Sequence, residues 1–152
     1  MLVSAIVPAY NEEGWVGKTV EALLKLPEIC EVIVVDDGSI DKTALEALNA
    51  GAIVCRNSAN RGKSQALRNG ASIARGGMLA FVDADLKDSA SEVSKLISPV
   101  MADEADMTVA RFISSGKAGG MGLVKSLAYW SIRYYTGQKM LAPLSGQRVI
   151  KR

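Results

Sequence analysis

The chain has no histidine, only two cysteines, and aromatic residues at 5% of its 152 positions. The lack of histidine excludes a histidine-dependent catalytic triad, an imidazole general base and most zinc sites. Two cysteines, Cys30 and Cys55, make no disulfide framework and are expected to be buried thiols in a reducing compartment. No apolar run approaches the roughly 18 residues that a membrane span requires. Met1–Pro8 carries no basic leader and runs straight into Asn11-Glu12-Glu13, so no signal peptide is expected and a cytoplasmic location is. Hydrophobic residues at 49% and charged residues at 22% exclude disorder and low-complexity sequence. The length suits one domain spanning residues 1–152.

Acidic residues are missing from the last third. Residues 1–110 carry 10 Lys/Arg against 16 Asp/Glu, and the last carboxylate is Asp106. Residues 111–152 carry Arg111, Lys117, Lys125, Arg133, Lys139, Arg148, Lys151 and Arg152 with no acid. A segment of one sign should meet something anionic, whether phosphate, nucleic acid or a membrane surface; a solvated basic face is the alternative. Within it, Gly119–Gly137 holds Trp130, Tyr129, Tyr134 and Tyr135 among apolar residues and cations. Such a stretch suits a peripheral membrane contact. It equally suits an ordinary helix packed on a sheet, or a homodimer contact. The acidic residues upstream argue against nucleic acid.

Short β-branched runs alternate with stretches of helical spacing. Strands are expected at Leu2–Val7 (ended by Pro8), Glu31–Val35, Ala52–Cys55, Met78–Val82 and Met107–Ala110. Helices are expected near Gly14–Leu26, Lys42–Ala50, Ser64–Arg75, Ser91–Met101 and Gly122–Tyr135. This alternation predicts an α/β fold, a mostly parallel sheet with helices on both faces. Ligands of such sheets bind at the carboxyl ends of the strands.

Those ends are where the acids cluster. Glu12 follows the first strand, Asp36 and Asp37 the second, and Asp83 and Asp85 the fourth. Like charges crowded on one rim are costly unless a cation or a hydroxyl network balances them. Asp83-x-Asp85 fits a hard divalent cation that completes its shell with water and phosphate oxygens. Taken alone it is equally a turn and helix cap, with Asp88 and Ser89 at hand. Arg61-Gly62-Lys63-Ser64 imitates the end of a phosphate-binding P-loop, but the required upstream glycine is Asn57, so an NTPase is excluded. No G-x-G-x-x-G follows the first strand, which removes a dinucleotide site.

Four blocks occur in order: Val7-Pro8-Ala9-Tyr10-Asn11-Glu12-Glu13, Val34-Val35-Asp36-Asp37-Gly38-Ser39, Asn60-Arg61-Gly62-Lys63-Ser64 and Phe81-Val82-Asp83-Ala84-Asp85. Together they resemble the family 2 glycosyltransferases of the GT-A (nucleotide-diphospho-sugar transferase) fold. Ser145-Gly146-Gln147-Arg148 is similar to a Ser-Gly-x-Arg segment of the polyprenyl-phosphate branch, the enzymes like dolichyl-phosphate mannose synthase.

The resemblance implies an inverting, metal-dependent glycosyltransferase using a UDP- or GDP-sugar. It places Pro8, Ala9, Tyr10, Asn11, Glu12, Asp36, Asp37, Gly38, Lys63, Asp83 and Ala84 at the nucleotide sugar. It also places Mg²⁺ or Mn²⁺ on Asp83 and Asp85, with Asp85 among the catalytic residues. Inversion at a hydroxyl acceptor normally needs a base, and no carboxylate follows Asp106. A phosphate acceptor, already anionic with a second pKa of about 6, needs none. It would give Arg111 and Arg148 their task, since arginine grips phosphate in bidentate fashion. The acceptor expected is therefore a lipid phosphate or another glycosyl acceptor. The other explanation is a domain truncated on its acceptor side, a non-catalytic nucleotide-sugar-binding module. A nucleotidyltransferase is the rival enzyme class, but its Gly-rich loop after the first strand is replaced by Pro-Ala-Tyr-Asn-Glu.

Overall fold

The computed structural model describes residues 2–110, 130, 133–134, 137 and 146–152. In chain order the elements are β1 (Val3–Ala9), α1 (Val16–Leu24), β2 (Ile29–Asp36), α2 (Thr43–Asn49), β3 (Ile53–Arg56), α3 (Lys63–Ile73) and β4 (Met78–Phe81). A 3₁₀ helix (Lys87–Val93) follows, then α4 (Ser94–Met101), β5 (Met107–Val109) and β6 (Arg148–Lys151). The strands form one sheet in the order β3-β2-β1-β4-β6-β5, six strands among the described residues. β1 to β4 run parallel; β6 is antiparallel to both β4 and β5. No helix among the described residues is long and apolar enough to cross a membrane.

The central strands are apolar on both sides because both sides are covered. Val3, Ala5, Val7, Val32, Val34, Met78 and Ala80 pack with Val16, Val20 and Leu23 of α1 and Ile97 and Val100 of α4. Ile6, Ile33, Val35 and Leu79 face the opposite way, onto Ala66 and its neighbours in α3. Near-continuous apolar runs of this kind are the mark of parallel strands buried on two faces.

Three expectations need correction. β1 does not end at Pro8 but continues through Ala9, with Pro8 opposite Val35. The Ala9 carbonyl accepts from Asp37 N–H on the β2 side, whereas the Ile6 carbonyl accepts from Val82 N–H on the β4 side. Pro8 shares the orientation of Ile6, so its missing N–H falls beyond the end of β4, where no strand needs it. The cysteines are not both buried: Cys30 is exposed and Cys55 half-buried. Cys30 falls at a register shift, where Val3 pairs with Ile29 and Ser4 with Glu31, so Cys30 has no partner across the ladder. Third, β6 was not expected. Only four residues long and half basic, it owes its strand state to the two neighbours between which it lies. The helix expected over Gly122–Tyr135 lies mostly outside the described residues.

Candidate active site at the ends of β1 and β4

The sheet order reverses between β1 and β4: from β1 the chain builds outward to β2 and β3, then returns to β4 on the other side. Loops leaving the two strands diverge there and open a crevice, the usual ligand position in open α/β sheets. A cavity of about 410 Å³ occupies it, lined by Pro8, Ala9, Tyr10, Glu12, Asp37, Asn60, Gly62, Lys63, Ala66, Asp83, Ala84 and Asp85.

The first wall is the loop after β1. Asn11 adopts a left-handed φ of 55°, which asparagine tolerates better than most residues. Its N–H donates to Ser39 Oγ at 2.9 Å, and its Oδ1 accepts from Ile40 N–H at 3.0 Å. Glu12 N–H donates to Thr43 Oγ1 at 2.8 Å, and the Glu12 carbonyl receives the Trp15 and Val16 amides that open α1. Glu46 of α2 caps the same helix from outside, accepting from Gly14 N–H at 2.6 Å and Gly17 N–H at 3.2 Å. Asn11 thus staples two loops together while Glu12 reaches the cavity.

In the second wall the adjacent aspartates part company. Asp36 is fully buried and outside the cavity lining. Its Oδ1 accepts from Ser39 N–H at 2.9 Å; its Oδ2 lies 3.0 Å from Arg56 Nε, a close charge contact rather than an aligned hydrogen bond. Arg56 also donates to the Ser39 carbonyl. Asp36 therefore holds the turn. Asp37 does line the cavity, but its carboxylate is fully engaged by Asn57 Nδ2 at 2.7 Å, Gly62 N–H at 2.7 Å and Arg61 N–H at 3.0 Å. Burial pushes Asp37 up, yet these bonds and the Arg61 charge outweigh it and hold the carboxyl below its usual range. Gly38 has φ +81°, and a Cβ there would sit 2.8 Å from the Ala59 carbonyl carbon. It is glycine so that the 59–60 backbone can cross the turn, not because it touches the cavity.

The third wall is Asp83-Ala84-Asp85. Ala84 is buried, Asp83 half-buried and Asp85 exposed, so the alternation sends both carboxylates outward. Lys63, the first residue of α3, pairs with Asp83 at 2.5 Å. Gly146 presses on that pair: a Cβ there would lie 2.9 Å from both Asp83 oxygens and 3.0 Å from Lys63 Nζ. The lead-in to β6 thus passes against the pair, and a side chain at 146 would make these two side-chain ends shift. Arg148 is half-buried, its guanidinium 5.2 Å from the Phe81 ring centroid; it is not among the cavity-lining residues. Arg111 lies outside the described residues.

The cavity carries excess negative charge. Burial raises the Glu12 carboxyl above its usual value, and the charges of Asp85, Asp41 and Asp83 raise it further. Among the described residues no three His, Cys, Asp or Glu side chains form a protein-only metal cage. The donor set present fits a different arrangement. Two hard carboxylates one residue apart, open to a cavity, suit Mg²⁺ or Mn²⁺ with its remaining oxygens from water and a diphosphate.

Asn60, Gly62 and Ala66 line the cavity without having been expected to. The block Asn60-Arg61-Gly62-Lys63-Ser64-x-Ala66 was their only sequence signal. Conversely, Asn11, Asp36 and Gly38 do not line it.

The model of glycosyl transferase family 2 matches residues 4–147. An uncharacterized protein of Methanocaldococcus jannaschii is 34% identical over 138 residues, 88% of this chain and 56% of that protein. The dodecaprenyl-phosphate galacturonate synthase of Rhizobium johnstonii is 30% identical over 146 residues, 90% of this chain and 42% of that protein. The crystal structure of glucosyl-3-phosphoglycerate synthase from Mycobacterium tuberculosis, in complex with Mn²⁺, UDP-glucose and phosphoglyceric acid, has a TM-score of 0.79 at 26% identity. That match covers 99% of this chain and 56% of the other. The chain therefore spans about half the length of the relatives it matches. Sequence and fold point the same way, and the chain belongs to glycosyl transferase family 2, with its GT-A fold.

Proposed function

We propose that the domain binds a nucleoside-diphosphate sugar, UDP-linked or GDP-linked, and transfers the sugar with inversion to an acceptor that carries a phosphate. The observation that carries this is the pair of outward carboxylates, Asp83 and Asp85, at the switch-point cavity with Lys63 beside them. Asp83 and Asp85 would hold Mg²⁺ or Mn²⁺, which when bound neutralises charge on the departing diphosphate. Pro8, Ala9 and Tyr10 would flank the nucleotide, and Asp37 would keep the Asn60–Gly62 backbone in place beneath it. Lys63 supplies the cavity's cation and is free to exchange Asp83 for a diphosphate oxygen. In a single displacement, the acceptor oxygen forms its bond to the anomeric carbon as the nucleoside diphosphate leaves with the bonding pair.

A phosphate acceptor would need no base, since a phosphate dianion is its own nucleophile at neutral pH (second pKa of about 6), and residues 107–152 carry no carboxylate. Two relatives are associated with phosphate-bearing molecules, one named for a polyprenyl phosphate and one crystallised with phosphoglyceric acid. β5 and β6 support the same acceptor side: the chain leaves this rim at Ala110 and returns to it at Gly146, and residues 111–145 contain five cations and no acid. Arg148, stacked at that rim, is the described residue suited to a phosphate; Arg111 is proposed as its companion.

Calorimetry with UDP and GDP, each with and without Mn²⁺, tests the donor half. Metal-dependent binding of one nucleotide is expected, and absence of binding to both would end the proposal. A donor-binding module without turnover is the second reading. Tight metal-dependent binding with no transfer to a polyprenyl phosphate would select it.

A further inference from the structure

Thr19 is the one fully buried polar side chain on the inward face of α1, where its companions are Val16, Val20 and Leu23. A valine would serve the packing equally well, so its hydroxyl calls for another explanation. The hydroxyl donates to the Ala84 carbonyl at 2.8 Å and accepts the Lys87 N–H at 2.8 Å. The carbonyl of Trp15 in its own helix lies farther away, at 3.3 Å. The two backbone groups it joins bracket Asp85. Lys87 stands at a left-handed φ of 50°, and its ammonium lies 3.4 Å from the Trp15 ring centroid, one helical turn before Thr19. The helix that starts from Glu12 therefore grips the turn carrying Asp85 at its backbone and again at Lys87.

From this geometry we infer that Thr19 is a positioning residue for the metal-binding carboxylates, its hydroxyl fixing where Asp85 stands relative to Asp83 and Glu12. The inference rests on the metal-dependent donor site proposed above. Glu12, Asp83 and Asp85 repel one another, and a turn free to relax would spread them apart. A cation would then have to draw them together again before it could bind. Two backbone groups tied to one rigid helix remove that freedom, because the hydroxyl is buried and no water competes for it.

Thr19→Val keeps the shape and deletes the hydroxyl; Thr19→Ser keeps the hydroxyl. Mn²⁺ affinity is read by electron paramagnetic resonance at 10 °C, on protein shown to be folded by circular dichroism. Loss of a partner that hydrogen-bonds a metal ligand directly typically costs roughly 10–100-fold in metal affinity, and Thr19 acts one step further out, through the Ala84 carbonyl and the Lys87 amide. Thr19→Val is accordingly expected at the low end, about tenfold weaker for Mn²⁺, with Thr19→Ser within about twofold of the wild type. Faster hydrogen exchange at the Lys87 amide in the valine variant, measured without metal, accompanies that loss. Folded Thr19→Val with wild-type Mn²⁺ affinity would overturn the inference alone. Wild-type protein that binds no Mn²⁺ even with UDP or GDP present would overturn it together with the donor-site proposal. Should Thr19→Val be unfolded at 10 °C, Thr19→Ala is measured at 5 °C, with the same loss expected and wild-type affinity overturning the inference.

Discussion

Asp36-Asp37 and Asp83-x-Asp85 each follow a parallel strand, at the same rim of the same sheet, and the fold uses them in opposite ways. The first pair is saturated: Asp36 is buried against Arg56 and Ser39, and Asp37 takes donors from Asn57, Arg61 and Gly62. In the second, Asp83 has one exposed cation, Lys63, beside it and Asp85 accepts no hydrogen bond from any described residue. A carboxylate whose lone pairs are filled by the protein stabilises a loop; one left open offers them to a ligand. What decides is whether protein donors reach the carboxylate: Asn57, Arg61 and Gly62 fill Asp37 even at the cavity, whereas the turn after β4 leaves Asp85 open to it.

Substitution should separate the two pairs sharply. Asp85→Ala is expected to lower Mn²⁺-dependent nucleotide affinity about 100-fold or more, roughly 2.7 kcal/mol. Its unfolding free energy should stay within about 0.5 kcal/mol of the wild type, because the side chain is exposed and its neighbours repel it. Calorimetry and urea titration on one preparation check both, and a large loss of stability would erase the distinction.

Asp36→Ala should do the reverse. Breaking a fully buried ion pair costs about 3–5 kcal/mol; with the Arg56 side chain 60% exposed, roughly 2 kcal/mol is expected. Nucleotide affinity, measured well below the melting temperature, should change by less than about threefold. A loss comparable with that of Asp85→Ala would bring Asp36 back into the site.

The smallest effect is in acid. Burial pushes Asp37 and Asp41 up, but hydrogen bonds outweigh it and hold both below their usual values. The stability they add is therefore complete above about pH 4 and is lost as pH falls through their lowered folded-state values. Glu12 has the opposite sign: its raised folded-state value makes its share largest in acid and lost as pH rises through that value. Thermal melts at pH 5, 4 and 3 should show the wild type falling away, and Asp37→Asn should make the fall shallower. An unchanged slope would mean that Asp37 is as unconstrained as an exposed aspartate.

The parts of the site written in consecutive residues were legible in the sequence. Asp83-Ala84-Asp85 alternates polar and apolar, and its burial follows that alternation, with Ala84 buried between two more open carboxylates. Asp36 and Asp37 defeat the same reasoning, since Val32 and Val34 on one parity and Ile33 and Val35 on the other are all buried. With both faces covered, nothing local says which aspartate reaches a cavity. Thr19 was illegible for a different reason: it acts on a turn 65 residues away in sequence, and only the folded contacts reveal a helical hydroxyl as part of the site. Gly146 was legible only as a member of the Ser145-Gly146-Gln147-Arg148 segment, and its closeness to Asp83 and Lys63 needed the fold. β6 belongs with them, its conformation set by strands on either side rather than by its own four residues.

The position of β6 also orders events during synthesis. β4 is complete at Phe81 and β5 at Val109, but the two never pair with each other; the strand that joins them comes last, at residues 148–151. Until those residues leave the ribosome, the nascent sheet presents the edge Met78–Phe81 with its backbone groups unpaired. An open apolar edge invites pairing with other chains, and closing it requires a contact between segments far apart in sequence, a slow class of folding step. The same short strand that carries Gly146 up to Asp83 is thus the keystone set last, and the interval before it arrives is when a chaperone would have the most to protect.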